Sequence, residues 1–559
     1  MKRRSVYLGL IGIVVLLSGC YRTANLTPAP LLPTTYAQIL QTLTPGTDDQ
    51  ITNTTPEPEP QVETLWIHPG IPESCLAGLD LAGLTLMETA DEADLRINTL
   101  QIAEGVPSGT IWTYVLAAPF YTITDGLSLA SLRSIWQGQA LAGFEKVVVT
   151  ERTSQAMALL LGEPSTTTVE IVDSETLQSL AISDDPLLTI LPFEDLSPIW
   201  KVLRVDGISP IDSDYSPETY ALSLIFALES SIEHSMALPP GNYHPDKRTV
   251  LVMTGVTALT RATAYMMEIN GNTFPGTDIQ QWMTSADLTH ISNEVPFAAN
   301  CPSPNPNQEN LIFCSSTDRI DLLEYVGTDI IELTGNHMLD YGVAAMNLTI
   351  EMYEERGWTY YAGGWDLTDA QTARKITHNG NNLAFIGCNP VGPTSDFATA
   401  SQPGSAPCGD YGWILEAIAE VRAEGYLPIV TLQYAEDYTA VPSAKMIADF
   451  KALADAGAVV VNGSQAHTPK VMTFYNDAFL HYGLGNLFFD QMNVYYGETY
   501  MPNTRDEFID RLVFYDNELI SVELLTAELE DYARPRPMTT AERQAFLDRI
   551  FNAAQGYLE

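Results

Sequence analysis

From residue 249 onward the sequence repeatedly places a short apolar run ahead of a helical stretch, and polar residues suited to chemistry fall just past the ends of those runs. The runs are 249–253, 330–334, 429–433 and 459–462; the helical stretches are 317–325, 344–355, 414–424 and 443–456. Alternation of this kind restricts a chain to an α/β architecture, with strands joined through helices. In open α/β sheets ligands bind beyond the strand C-termini, so residues distant in sequence can meet there. The candidates are Asn293-Glu294, Gly335-Asn336-His337 with Asp340, Glu436-Asp437 and Gln465-Ala466-His467. Carboxylate, amide and imidazole groups suit Mn, Fe or Zn, and a metal-bound water can attack a phosphoester. Each motif read alone has a plainer account: a histidine after a strand is often a hydrogen-bonded turn residue, and Asn336 can supply a left-handed turn. A Rossmann fingerprint, a P-loop and a Gly-x-Ser-x-Gly elbow are absent, which leaves nucleotide-binding and serine-hydrolase readings without a motif.

Residues 65–237 alternate in the same way, with apolar runs at 112–118 and 147–150 and a helical stretch at 154–161, so a further α/β region is expected. The turn-rich stretch 238–247 marks the boundary between the two. A chain of 559 residues has ample length for several cores. The charge narrows the partners: 27 Lys and Arg stand against 70 Asp and Glu, a net charge of −43. No basic cluster follows Lys2, Arg3 and Arg4, which excludes nucleic acid as a partner.

Those three basic residues precede an apolar run at 6–17 and then Leu17-Ser18-Gly19-Cys20. A basic start and a short apolar core ending in small residues reads as a secretory signal. The ending resembles the lipobox of bacterial lipoproteins, which implies cleavage before Cys20, acylation of its thiol and an extracytoplasmic chain whose partner is the membrane through the lipid. Residues 20–63, rich in Pro and Thr, read as an extended tether. Of the later cysteines, Cys301 with Cys314 and Cys388 with Cys408 are neighbours in sequence and would each close a Pro-containing loop as a disulfide, leaving Cys75 over. No C-x-x-C spacing supports zinc at these thiols.

Two resemblances follow. Ala118-Pro119-Phe120, Leu127-Ser128-Leu129, Leu132-Arg133-Ser134-Ile135-Trp136-Gln137-Gly138, Trp200-Lys201-Val202-Leu203-Arg204-Val205-Asp206-Gly207 and Tyr215-Ser216-Pro217 resemble a type 2 periplasmic solute-binding domain of the phosphate-binding kind. That resemblance implies an oxyanion held at a helix start, with Arg152, Thr153 and Ser154 before a helix beginning near Gln155 as the match; an ordinary N-cap by Thr153 or Ser154 is the plainer reading.

The second rests on ordered motifs: Met253-Thr254-Gly255 running to Arg261, Ile291-Ser292-Asn293-Glu294, and Gly327-Thr328-Asp329-Ile330 leading to Gly335-Asn336-His337-Met338-Leu339-Asp340-Tyr341-Gly342. Tyr361-Ala362-Gly363-Gly364, Gly463-Ser464-Gln465-Ala466-His467 and Tyr482-Gly483-Leu484-Gly485-Asn486-Leu487-Phe488-Phe489-Asp490 continue the order. Their order resembles the CapA proteins of poly-γ-glutamate capsule biosynthesis, a branch of the metallophosphoesterase (calcineurin-like) superfamily. The resemblance implies a four-layer α/β/β/α sandwich at 246–534; the smaller binding-protein-like α/β domain at 64–240 precedes it, and the stretch 535–559 reads as an amphipathic helix with Phe546, Ile550 and Phe551 on one face. It implies Glu294, Asn336, Glu436 and His467 as metal ligands, with His337 as a phosphate-contacting or acid residue oriented by Asp340. Three positions depart from the family pattern: Val256 replaces an Asp, and Gln433 and Gln465 replace histidines. Apolar and amide groups are poor ligands, so the expectation is one divalent metal (Mn, Mg, Fe or Zn) or none. Three functions stay open: a surface-polymer assembly or export factor working with synthesis or export machinery, a metal-dependent hydrolase of an envelope substrate, and an oxyanion-binding module.

Overall fold

The computed structural model describes residues 63–102, 109–492, 495–496, 499–500 and 503–558. The expected signal sequence, Cys20 and nearly all of the expected tether lie outside them. Residues 62–559 pack as one unit.

Its first sheet runs, in spatial order, Thr85–Leu86, Thr64–Ile67, Leu95–Gln101, Ser223–Ser230, Thr110–Pro119, Leu187–Pro192, Lys146–Val149 and Val169–Ile171. Ser223–Ser230 lies antiparallel to both of its neighbours, so the sheet is mixed. Alternation in Leu95–Gln101 buries Leu95 and Ile97, whereas Thr110–Pro119 is buried almost throughout, as a central strand covered on both faces would be.

The rest of the chain builds two facing sheets. One runs Thr359–Tyr361, Ile330–Glu332, Leu288–Asn293, Arg248–Thr254, Asp506–Tyr515, Glu518–Glu530 and Arg534–Pro537. Its first four strands are parallel and the remainder antiparallel. The other runs Arg374–His378, Asn381–Cys388, Leu427–Gln433, Val460–Ser464, Ala478–His481 and Met472–Tyr475, with its four inner strands parallel. Leu251 and Met253 pack between the sheets in the same cluster as Phe385 and Val430, while Val252 of the same strand faces the helical layer with Met267, Leu323 and Ile350. The period of two along one strand thus separates two cores. Helices Gly412–Ala423 and Ala444–Asp455 cover the other sheet through Ile414, Ile418, Phe450 and Leu453. The layers are therefore α/β/β/α, the four-layer sandwich expected from the sequence, preceded by a smaller α/β region.

The two regions share a core: Val250, Val513 and Ile520 bury into the first region's cluster. Phe193 meets Tyr515 edge-on at 5.0 Å, and Arg204 pairs with Glu523 at 3.3 Å. Within 238–247, Asn242 bonds both the N–H and the carbonyl of Thr113, so this stretch is a seam between packed surfaces. Helix Thr540–Leu558 returns its apolar face, Phe546, Leu547, Ile550 and Phe551, onto the sandwich. Arg543 of this helix also reaches Asp125 of the first region at 2.8 Å. Disulfides join Cys301 to Cys314 and Cys388 to Cys408, and Cys75 is a buried free thiol.

Candidate functional site

The parallel strands of both sheets end at one edge of the sandwich, which is what gathers the polar residues. Leu288–Asn293 delivers Glu294, Ile330–Glu332 delivers Asn336 and His337, Leu427–Gln433 delivers Gln433 and Glu436, and Val460–Ser464 delivers Gln465 and His467. Gly335 allows the first two strand ends to close up, since a Cβ there would lie 2.8 Å from Glu294 Cα. Gln465 sits at φ +68°, a left-handed conformation uncommon for a residue with a Cβ and typical of functional loops.

One side of the site is built on His337. Its Nδ1 lies 2.7 Å from Asp340 Oδ2, which also accepts the Phe313 N–H at 2.7 Å. The Phe313 ring packs on the imidazole at 4.6 Å, and the Cys301–Cys314 bridge braces that loop next door. Burial works against a charged His337, yet the Asp340 hydrogen bond and the charges of Glu294, Asp340 and Asp396 outweigh it and raise its pKa. Asp396 is nearly fully buried, with Oδ2 lacking a hydrogen-bond partner. Burial and the Asp340 charge push its carboxyl up to about 6.

The other side is built on His467. Its Nδ1 bonds Asn486 Oδ1 at 2.7 Å and its Nε2 faces Glu436 Oε1 at 3.2 Å. The ring is stacked between Phe489 at 4.9 Å and Tyr438 at 6.2 Å. Burial again opposes the charge, and the bond to Glu436 with the charges of Glu436 and Glu294 prevails, so the pKa of His467 is raised. Glu436 shows the reciprocal effect: despite burial, His467, Gln465 and Tyr438 pull it down to about 2. The guanidinium of Arg261 joins the two sides, lying 5.1 Å from the Phe313 ring and 4.9 Å from the Phe489 ring.

Between the sides runs a chain of amides. Gln433 Nε2 donates to Asn336 Oδ1 at 3.2 Å and to Gln465 Oε1, and Gln465 Nε2 donates to Glu436 Oε1 at 2.8 Å. Gln433 Oε1 lies 3.2 Å from the Ser464 hydroxyl. These contacts test whether a metal pair fits. Asn336 Oδ1 and Gln465 Oε1 each already accept a hydrogen bond, and both nitrogens of His467 are engaged by Asn486 and Glu436, so a metal pair here would have to displace these contacts. Val256 is buried and brings no donor. Among the described residues no three His, Cys, Asp or Glu side chains are grouped so as to hold a metal. The residues present do not fit a two-metal centre. Glu332, which the sequence places just before Gly335, is turned between the sheets, where Thr334 and Ser464 at 2.7 Å donate to it.

Residues 250–491 match the family described as bacterial capsule synthesis protein PGA_cap. The capsule biosynthesis protein CapA of Bacillus anthracis is 22% identical over 325 residues, covering 57% of this chain and 77% of that protein. The PGA biosynthesis protein CapA of Bacillus subtilis (strain 168) is 26% identical over 180 residues, covering 32% of this chain and 47% of that protein. This part of the chain is similar to the CapA proteins. Solved structures are more distant. A putative 5'-nucleotidase from Staphylococcus aureus in complex with alpha-ketoglutarate aligns with 55% of this chain and 58% of its own at 11% identity and TM-score 0.33. An ABC-type phosphate transport receptor from Vibrio cholerae aligns with 24% of this chain and 66% of its own at 15% identity and TM-score 0.21.

The residues expected to hold an oxyanion ahead of the CapA-like part are arranged otherwise. The helix starts at Glu151, earlier than Gln155, because the strand stops at Val149 and Thr150 caps the helix by accepting the Thr153 N–H. The cap is therefore Thr150, and neither Thr153 nor Ser154, both of which are buried. Arg152 is spent on the Ile71 carbonyl at 3.0 Å and on Glu73 at 3.2 Å. Sequence reasoning missed four residues of the site: Asn486, Tyr438, Asp396 and Arg261 in its bridging place. Asn486 and Arg261 stand inside quoted motifs; Tyr438 stands two residues past Glu436, and Asp396 carries no local signal.

Proposed function

We propose that this chain serves the synthesis or export of a surface polymer of the poly-γ-glutamate kind, as an extracytoplasmic component tethered through Cys20 that handles polymer without two-metal hydrolysis. The match of residues 250–491 to the capsule synthesis family and the names of the two Bacillus relatives support the polymer. Among the described residues no helix is long and apolar enough to cross a membrane, which suits an anchor at the N-terminus. One observation carries the non-hydrolytic reading: the Gln433–Gln465–Glu436–His467 chain occupies, with its own hydrogen bonds, the groups a metal pair would need.

A second reading is favoured by Glu294, whose Oε1 is buried with no hydrogen-bond partner among the described residues. A carboxylate oxygen in that state suits a single hard cation, and the chain would then be a metal-dependent hydrolase of an envelope substrate. A deletion strain complemented with the chain carrying both Glu294→Gln and His337→Gln separates the two. Surface polymer restored to the wild-type amount supports the assembly role. Loss of polymer with the protein present at normal abundance overturns it and favours the hydrolase.

A further inference from the structure

The environment of Glu436 is that of a bound ligand. Its Oε1 accepts from Gln465 Nε2 at 2.8 Å and lies 3.2 Å from His467 Nε2, and its Oε2 accepts from the Tyr438 hydroxyl at 3.2 Å. Donors therefore address both oxygens of one planar carboxylate, an arrangement that recognises carboxylates. The donors are held independently of Glu436: Asn486 and the Phe489 ring fix His467, Gln433 fixes Gln465, and Gln491 bonds the Tyr438 hydroxyl at 3.1 Å. Glu436 itself is the partner that solvent reaches, with its side chain 42% exposed while that of His467 is 3% exposed. The backbone beside it is pinned, because the buried Lys470 ammonium grips Asp437 and the Thr439 carbonyl at 2.7 Å. Rotation of one side chain is enough to vacate the place.

We propose that Gln465, His467 and Tyr438 form a carboxylate-binding site for a glutamyl side of the surface polymer, and that Glu436 plugs this site from within until a ligand carboxylate displaces it. The inference rests on the polymer reading above and names the group that the site would hold. The donors that Glu436 leaves are satisfied again by the incoming carboxylate, so a chain of net charge −43 keeps one local place suited to an anionic group.

Calorimetry on the full-length chain at fixed ionic strength, with a γ-linked glutamyl decamer, glutarate and inorganic phosphate as probes, tests it. Glu436→Ala is expected to bind the decamer about tenfold more tightly than the unaltered chain, with a parallel gain for glutarate. Adding Gln465→Ala removes that gain, and phosphate shows none. If Glu436→Ala does not fold, Glu436→Gln, which keeps the volume and loses the charge, gives a smaller gain of the same sign. No gain in a folded variant, or an equal gain for phosphate, overturns the site. Should that happen while the complemented strain still makes polymer, the carboxylate site alone has failed.

Discussion

The two histidines of the site both have a raised pKa and differ in the surroundings that raise it. His337 has one carboxylate contact, at Nδ1 from Asp340, and its side chain is 15% exposed. His467 is engaged at both ring nitrogens, lies between two aromatic rings and is almost wholly buried. In both, neighbouring carboxylates win over burial and raise the pKa. The contrast teaches that an imidazole kept at a strand end can be a structural cation on one side of a pocket and a group near solvent on the other.

The largest expected effect comes from breaking the buried side. His467→Ala leaves Glu436, Gln465 and Asn486 facing a cavity between Tyr438 and Phe489, and should cost about 4 kcal/mol in denaturant unfolding. A cost under about 1 kcal/mol would mean that the imidazole is not integral to the pocket.

Asp396 sharpens the comparison on the other side. Its folded carboxyl titrates at about 6 against an ordinary value of 3.8, so between those values the folded state binds more protons than the unfolded one. Stability from this group therefore falls as pH rises from about 4 to about 6 and stays lowered above that. Asp396→Asn should remove this slope and raise stability at pH 7 by about 2 kcal/mol, seen by repeating urea unfolding from pH 4 to pH 7.5. An unchanged slope would place the proton elsewhere. The smallest effect is expected for His337→Ala, about 1 kcal/mol in the same unfolding measurement, because solvent reaches the ring and one hydrogen bond is lost. If it matched His467→Ala, the distinction between the two sides would collapse.

Much of the site was legible in the sequence because its residues follow apolar runs: Asn336, His337, Gln433, Gln465 and His467 all lie within five residues of a strand end, where a parallel sheet exposes them. Asp396 was not legible. It lies in a Pro- and Ser-containing loop without periodicity, and reaches His337 only because the loop after Asn381–Cys388 folds back, with Asn389 bonding the Thr334 carbonyl at 3.0 Å and Cys408 tied to Cys388. The helix at Glu151–Leu161 shows a smaller gap of the same origin: two hydroxyl residues looked like caps, and a third, Thr150, took the role because its strand ended one residue before it.

The amino-acid order alone determined the alternation of strands and helices, since periodicity of burial is a local property that each segment carries by itself. It determined equally that Val256, Gln433 and Gln465 stand where the family resemblance leads to the expectation of an Asp and two His. The tertiary structure decided what those positions do instead. Whether His467 is a ligand or a cation depends on Glu436 and Asn486, which come from a loop after a different strand and from a separate short strand. A proton's place is set by the charges and dipoles within a few ångströms, and only the packed sandwich brings those neighbours together.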